Sequence, residues 1–145
     1  MSRVQLALYR GPGTTLAHKA AHIITVGVLT VRELACCPWS HSEVVIDGRC
    51  YSASVRDGGV RWKDIDLTTG RWDVLDRPGV EPGEAYMRYR QREGLGYDWP
   101  GALAWGLPFL RQSPRRDYCF EICAHMLGLP APHTWSALDL ARGHR

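Results

Sequence analysis

Cys119 and Cys123 stand one helical turn apart in the segment RRDYCFEICAHMLGLP, and a thiol at the start of a helix is a candidate nucleophile. With Asp117 as the expected N-cap and Gly128-Leu129-Pro130 as the stop, Cys119 falls in the first turn. There the unsatisfied N–H groups and the positive end of the helix dipole favour an anion, a setting in which thiols ionise readily. Cys123 lies a turn deeper among Ile122, Ala124 and Met126, where the ordinary role of a cysteine is packing. A thiol that attacks an acyl carbon also needs a base. His125 is the nearest histidine, but six residues along a helix is about 9 Å of rise and roughly 240° of rotation, which turns it away from Cys119.

A better base comes from the stretch SHSEVVIDGRCYSASV. Asp47-Gly48 is a strong two-residue hairpin signal. A turn there pairs Ile46 with Arg49, Glu43 with Ser52 and His41 with Ser54. Side chains alternate between faces. One face then carries His41, Glu43, Val45, Cys50, Ser52 and Ser54; the other carries Val44, Ile46, Tyr51, Ala53 and Val55 and reads as a core face. The first face gathers a histidine, a carboxylate and hydroxyls that have no packing reason to cluster. A helix N-terminus bearing Cys119 and covering that face would bring thiol and imidazole together.

The elements that must position these residues follow from the rest of the pattern. VQLALY reads as an early strand ended by RGPG. Thr15 to about Val31 reads as a helix followed by an extended piece. RDGGVRWKDIDL gives a turn and a strand, and RWDVLDRP a further strand stopped by proline. EPGEAYMRYRQREG reads as a helix with Gly94 near its end. Asp98 as N-cap and Pro100 in the first turn predict a short apolar helix in YDWPGALAWGLPFL. The tail after Pro130 reads as a loop and a last turn. Strand, helix, several antiparallel strands and then helices make an α+β layout.

A chain of 145 residues suits one domain with a real core. The net charge of +3, with acids and bases interspersed, is too small to argue for nucleic-acid binding. The basic clusters MRYRQREG and RQSPRR read as solvated surface, with a docking face for an anionic polymer as the sharper alternative. No apolar run approaches a membrane span, and MSRVQLALYRG lacks the apolar core of a signal peptide, so a cytoplasmic protein is expected. Five cysteines without a signal peptide argue against a disulfide framework. Cys36, Cys37, His41 and Cys50 are a conceivable metal set. Adjacent cysteines are poor ligands for one metal, however, and the spacing matches no common zinc pattern, so no metal or cofactor is expected. Cys36 and Cys37 read as packing residues at the hairpin entry.

In their order, WSHSEVVIDG, CYSASVRDGGV, YDWPGAL and YCFEICAHMLGLP resemble the circularly permuted branch of the NlpC-type papain-fold hydrolases, small phage-encoded members above all. The resemblance runs from LALYRG to LGLP and implies a single permuted papain-like domain over residues 1–145, with phage or prophage origin. In that branch a strand histidine comes first and the nucleophilic cysteine opens a helix near the C-terminus. Cys119 matches the nucleophile and His41 the base. A third polar residue orients the histidine, and Glu43 and Ser52 compete for that role. Ser52 stands where many permuted members carry a glutamate, and Glu43 is preferred. Glu121 matches an acidic residue often found two after the cysteine, with helix-end electrostatics as its expected job. Phe120 departs from the pattern, which has a small residue there, and a ring at that point would narrow or cover the site.

The resemblance implies cleavage of an amide, ester or thioester bond through an acyl-enzyme. The backbone N–H of Cys119 is a candidate oxyanion donor, and the Tyr97 hydroxyl a further one, although YDW also reads as a plain helix start. Cell-wall (peptidoglycan) peptides, protein amides and lipid acyl groups are all open as substrates. A binding module of the same fold without turnover is the alternative. The geometric expectation is that Cys119 and His41 come within about 4 Å of each other, with Glu43 or Ser52 on the other imidazole nitrogen.

Overall fold

The computed structural model describes residues 3–10, 39–98 and 115–143. Among the described residues, five strands come first: β1 (Val4–Arg10), β2 (Trp39–Ile46), β3 (Arg49–Ser54), β4 (Gly59–Lys63) and β5 (Trp72–Asp76). Helix α1 (Pro82–Arg90) and the short strands β6 (Gly96–Tyr97) and β7 (Arg116–Asp117) follow, then α2 (Cys119–Met126), a 3-10 turn (Pro132–Thr134) and α3 (Ala137–Arg142). The strands form one seven-stranded sheet in the order β5-β1-β2-β3-β4-β6-β7. Among the described strands only the β6–β7 pair is parallel. The fold is therefore α+β, as the element order predicts. The helix expected between Thr15 and Val31, the one expected to start at Asp98, and Cys36 and Cys37 lie outside the described residues.

The β2–β3 hairpin turns where Asp47-Gly48 predicts. Both residues take positive φ, 51° and 83°, which a two-residue turn matched to strand twist requires and which Gly and Asp tolerate. Ile46 pairs with Arg49, Val45 with Cys50 and Val44 with Tyr51, and there the ladder ends. The expected pairs Glu43–Ser52 and His41–Ser54 do not form. Instead the Ser52 hydroxyl donates to the Ser42 carbonyl at 2.6 Å, a side chain taking the place of a backbone rung. The first half of β2 is held from its other side by β1, with Ala7 opposite Glu43 and Tyr9 opposite His41.

Alternation sorts the sheet as expected except at Val55, which lies past the end of β3 and is exposed, not in the core. Leu6, Leu8, Val44, Ile46, Tyr51 and Ala53 face the main core, where Ile122, Cys123 and Met126 of α2 and Leu140 of α3 cover them. Ala7, Val45 and Cys50 face the other way, under Ile65, Leu67 and Trp72. At the far edge Gly59 has φ 147°, and a Cβ there would lie 2.0 Å from the Leu95 carbonyl oxygen. That close approach lets Val60 N–H donate to the same carbonyl at 2.8 Å and joins β4 to β6.

The helix ends show which local signals were decisive. In α1 the Glu81 carboxylate accepts from the N–H groups of Gly83 and Glu84, with Pro82 at the first position. In α2 the cap is Tyr118, without a side-chain cap bond, and not Asp117. Asp117 is drawn backwards instead. Its carbonyl accepts from Asp98 N–H at 3.0 Å, and its carboxylate accepts from Arg92 at 3.1 Å. The C-terminus of α2 behaves as predicted: Gly128 has φ 73°, its N–H donates to the His125 carbonyl, and Leu129 N–H donates to that of Ala124. The tail holds more structure than expected, because α3 opens on a capping box between Ser136 and Asp139. The arginines of MRYRQREG are not a free basic face. Arg88 pairs with Glu84, Arg90 with Glu93 and Arg92 with Asp117. No helix among the described residues is long and apolar enough to cross a membrane.

Candidate active site

Cys119 is the first residue of α2 and is 4 % exposed. The buried Ser42 hydroxyl of β2 lies 3.2 Å from both the Cys119 carbonyl and the Cys123 sulfur, which pins the first turn of α2 to the strand next to His41. The Cys119 side chain is hydrogen-bonded to the His41 imidazole. One part of the expected placement is corrected. The body of α2 packs on the apolar face of the hairpin, with Val44 and Ile46, and not on the polar one. His41 belongs to the other face: it sits opposite Tyr9, with its ring centroid 6.4 Å from that of Trp72. Thiol and imidazole meet at the stretch of β2 that has left its ladder with β3.

Glu43 holds the far side of the imidazole. Its Oε1 lies 2.7 Å from His41 Nε2, which leaves Nδ1 as the nitrogen for the thiol. Glu43 is fully buried, and Arg61 of β4 donates two bonds to it, from Nη1 to Oε2 at 2.8 Å and from Nη2 to Oε1 at 2.7 Å. Arg61 Nε in turn donates to Asp57 at 2.8 Å, and Asp57 accepts from Lys63 at 3.2 Å. A chain of alternating charge thus runs from the surface to the thiol. Ser52 does not touch His41 in this arrangement; its hydroxyl is spent on the Ser42 carbonyl. Of the two candidates for the orienting position, the structure puts Glu43 there.

Burial disfavours the His41 imidazolium, but the hydrogen bonds to Cys119 and then Glu43, with the charge of each, outweigh it and raise the imidazole to about 10. Glu43 shows the same contest. Burial works against its charge, yet the bonds from His41 and Arg61 hold it below the usual carboxylate range. Cys123 is the opposite case. Burial pushes its thiol up, as befits a core residue. His125 lies toward Arg88 and Arg92, with burial the main influence depressing it, and has no part in the pair. Phe120 is a core residue, 7 % exposed. Glu121 is also buried, in the first turn of α2. Tyr97, in β6, is buried and lies close enough to Cys119 for the thiol's charge to disfavour its ionisation.

Next to the cysteine lies a strained electrostatic spot. Asp117 is 1 % exposed, and its Oδ2 has no hydrogen-bond partner among the described residues. Burial pushes its carboxyl up to about 6, Arg92 pulling against this and Asp98 adding to it. An acid raised in the folded state stabilises the fold below its unfolded value of 3.8, and that contribution is lost as pH rises through about 6. At pH 7 the ionised carboxylate is therefore a cost. Asp117→Asn is expected to raise stability at pH 7 by about 1–2 kcal/mol and to flatten the stability profile between pH 4 and 6, as read by urea unfolding.

The residues that the sequence did not point to are Arg61 and Ser42. Arg61 carried a usable signal. Strand alternation counted through a second turn at Asp57-Gly58 sets it opposite Ser54, on the same face as Ser52 and Glu43, and the β3–β4 ladder, joined by a longer loop, pairs it with Ser52. Ser42 gave none, being a small polar residue on an otherwise apolar face. Comparison with known protein families, with curated proteins and with solved structures found no match to this chain. The chemistry must therefore be argued from the site: a helix-start thiol, an imidazole bonded to it, and a buried carboxylate behind the imidazole.

Proposed function

We propose that the protein is a thiol-dependent acyl hydrolase that cleaves an amide, ester or thioester bond through a Cys119 acyl-enzyme, on a permuted papain-like scaffold. The observation that carries the reading is the Cys119–His41–Glu43 chain, in which one imidazole is bonded to the thiol and to a buried carboxylate. In the reaction the thiolate attacks the acyl carbon, and the C–S bond forms as the leaving group departs with the proton held by His41. Water then attacks the thioester, His41 takes its proton, and the C–S bond breaks to release the acid and restore the thiolate beside the protonated imidazole. Glu43 keeps the ring oriented and supports its charged form. The backbone N–H of Cys119, at the first position of a helix without a side-chain cap, is placed to receive developing negative charge on the acyl oxygen. Cell-wall peptides, protein amides and lipid acyl groups all satisfy this chemistry.

A papain-like binding module without turnover is the second reading, favoured by the 4 % exposure of Cys119. Intact mass after incubation with a panel of activated acyl esters and thioesters separates the two. An acyl adduct that maps to Cys119, turns over on standing and is absent from Cys119→Ala is the expected result. No adduct with any probe, in a folded protein, rejects the hydrolase.

A further inference from the structure

Arg61 reaches the site through Glu43 alone, and that geometry has a chemical consequence. Glu43 is completely buried at the centre of the sheet, and Arg61, 16 % exposed, meets both of its oxygens. The same Oε1 that accepts from Arg61 Nη2 at 2.7 Å is the atom that faces His41 Nε2 at 2.7 Å. One proton between His41 and Glu43 therefore has two homes. It can sit on nitrogen, giving an imidazolium and a carboxylate, or on oxygen, giving a neutral pair. Away from water the neutral pair is favoured, because desolvation penalises both charges. A guanidinium bonded to both carboxylate oxygens reverses this, since its charge favours the carboxylate and its two bonds weaken when the acid is protonated, the hydroxyl oxygen being the poorer acceptor.

We infer that Arg61 decides which member of the His41–Glu43 pair carries the proton, and keeps it on the imidazole. This makes Arg61 a positioning residue for the reaction proposed above, on which its catalytic consequence rests. The placement of the proton itself needs no substrate. Among the described residues, the other titratable groups near Glu43 do not substitute for Arg61. Cys119 and Cys123 of α2 and Cys50 of β3 bring no positive charge, and Lys63 reaches the pair only through Asp57 and Arg61. Asp57 anchors the outer side of the guanidinium by accepting from Nε at 2.8 Å, so the fork is aimed inward at Glu43.

The test reads the proton directly. Ring 15N shifts of His41 and the side-chain carboxyl 13C shift of Glu43 are to be recorded at pH 8 in the wild type, Arg61→Met and Arg61→Lys. The expected wild type shows an imidazolium beside an ionised carboxylate. Arg61→Met should show a neutral imidazole beside a protonated carboxyl, with alkylation of Cys119 by iodoacetamide slowed about tenfold, the factor that one pKa unit on the thiol represents. Arg61→Lys, which keeps the charge but not the fork, should retain the imidazolium. An Arg61→Met protein that keeps the imidazolium and the ionised carboxylate overturns the inference. Should Arg61→Met not fold, the wild type alone decides: a protonated Glu43 at pH 8 overturns the inference as surely. Acyl adduct formation by the wild type is scored separately. A wild type that never acylates, with shifts that respond to Arg61 as stated, leaves the assignment of Arg61 standing and removes only the hydrolase.

Discussion

Replacing His41 by alanine is expected to slow acylation of Cys119 by about 10²–10⁴-fold, the range that a positioned acid–base group contributes. The imidazole is bonded to the thiol, and its own partners hold it charged at neutral pH, so its removal deprives the sulfur of both a proton acceptor and a neighbouring cation. The leaving group loses its proton donor in the same stroke. The fold should survive, because Glu43 keeps both bonds from Arg61 when the ring is gone. The measurement is the single-turnover rate of adduct formation with an activated acyl ester at pH 7, with His125→Ala as the control. His125 lies toward Arg88 and Arg92, and its loss should leave the rate within about twofold of wild type. Equal rates for His41→Ala and wild type would refute the assignment of the base.

Replacing Glu43 by alanine is expected to cost about 3 kcal/mol or more of stability, the scale of a buried ion pair broken from one side. Arg61 would be left in the sheet with Asp57 as its one remaining carboxylate among the described residues, and His41 would lose the group on its Nε2. The pH dependence gives a sharper signature. Glu43 is held below its ordinary value of 4.5, so its contribution is present above that value and is lost as pH falls through the lower, folded-state value. His41 is raised from 6.5 to about 10, so its contribution is complete below pH 6.5 and disappears as pH rises towards 10. The contribution of the His41–Glu43 pair should therefore fall off on both sides of a plateau near pH 5–6.5, superimposed on the loss that Asp117 imposes as pH rises through about 6. Glu43→Ala should lower the plateau, shrink the acid limb and weaken the alkaline one. Urea unfolding across pH 3–10 reads all three. A variant whose profile is parallel to wild type at every pH would show that Glu43 is not coupled to His41.

How far the sequence carries depends on the range of each interaction. The β2–β3 hairpin was legible because Asp47 and Gly48 can adopt the two positive φ angles that the turn requires, a purely local demand. The ladder's early end was not, because it depends on a hydroxyl, Ser52, reaching the Ser42 carbonyl. α2 was legible from its apolar spacing and its glycine stop. Its cap was misassigned because Asp117 answers to Arg92 and Asp98, residues that a local pattern does not place beside it. α3 carried a legible signal, the capping box between Ser136 and Asp139, but its six residues make too short a periodic stretch to register. Pairing of Cys119 with His41 was not forced by any local pattern; the expectation came from the polar face of the hairpin, which needed a cover, and from a resemblance in motif order. Arg61 lies one strand beyond the hairpin and needed register counted through two turns.

The spacing of these contacts along the chain also orders events on the ribosome. His41 and Glu43 are two residues apart, and Arg61 is 18 residues beyond Glu43, all within one meander. Ser42 and Cys119, by contrast, are separated by 77 residues. Closing the short loops costs less entropy than closing the long one, and synthesis proceeds from the N-terminus. The carboxylate, the guanidinium and the imidazole have therefore all been made, and can pair, before the codon for Cys119 is read. A nascent or truncated chain that lacks α2 carries the acid–base half of the site and no nucleophile, so reactivity arrives in one step, with the docking of α2.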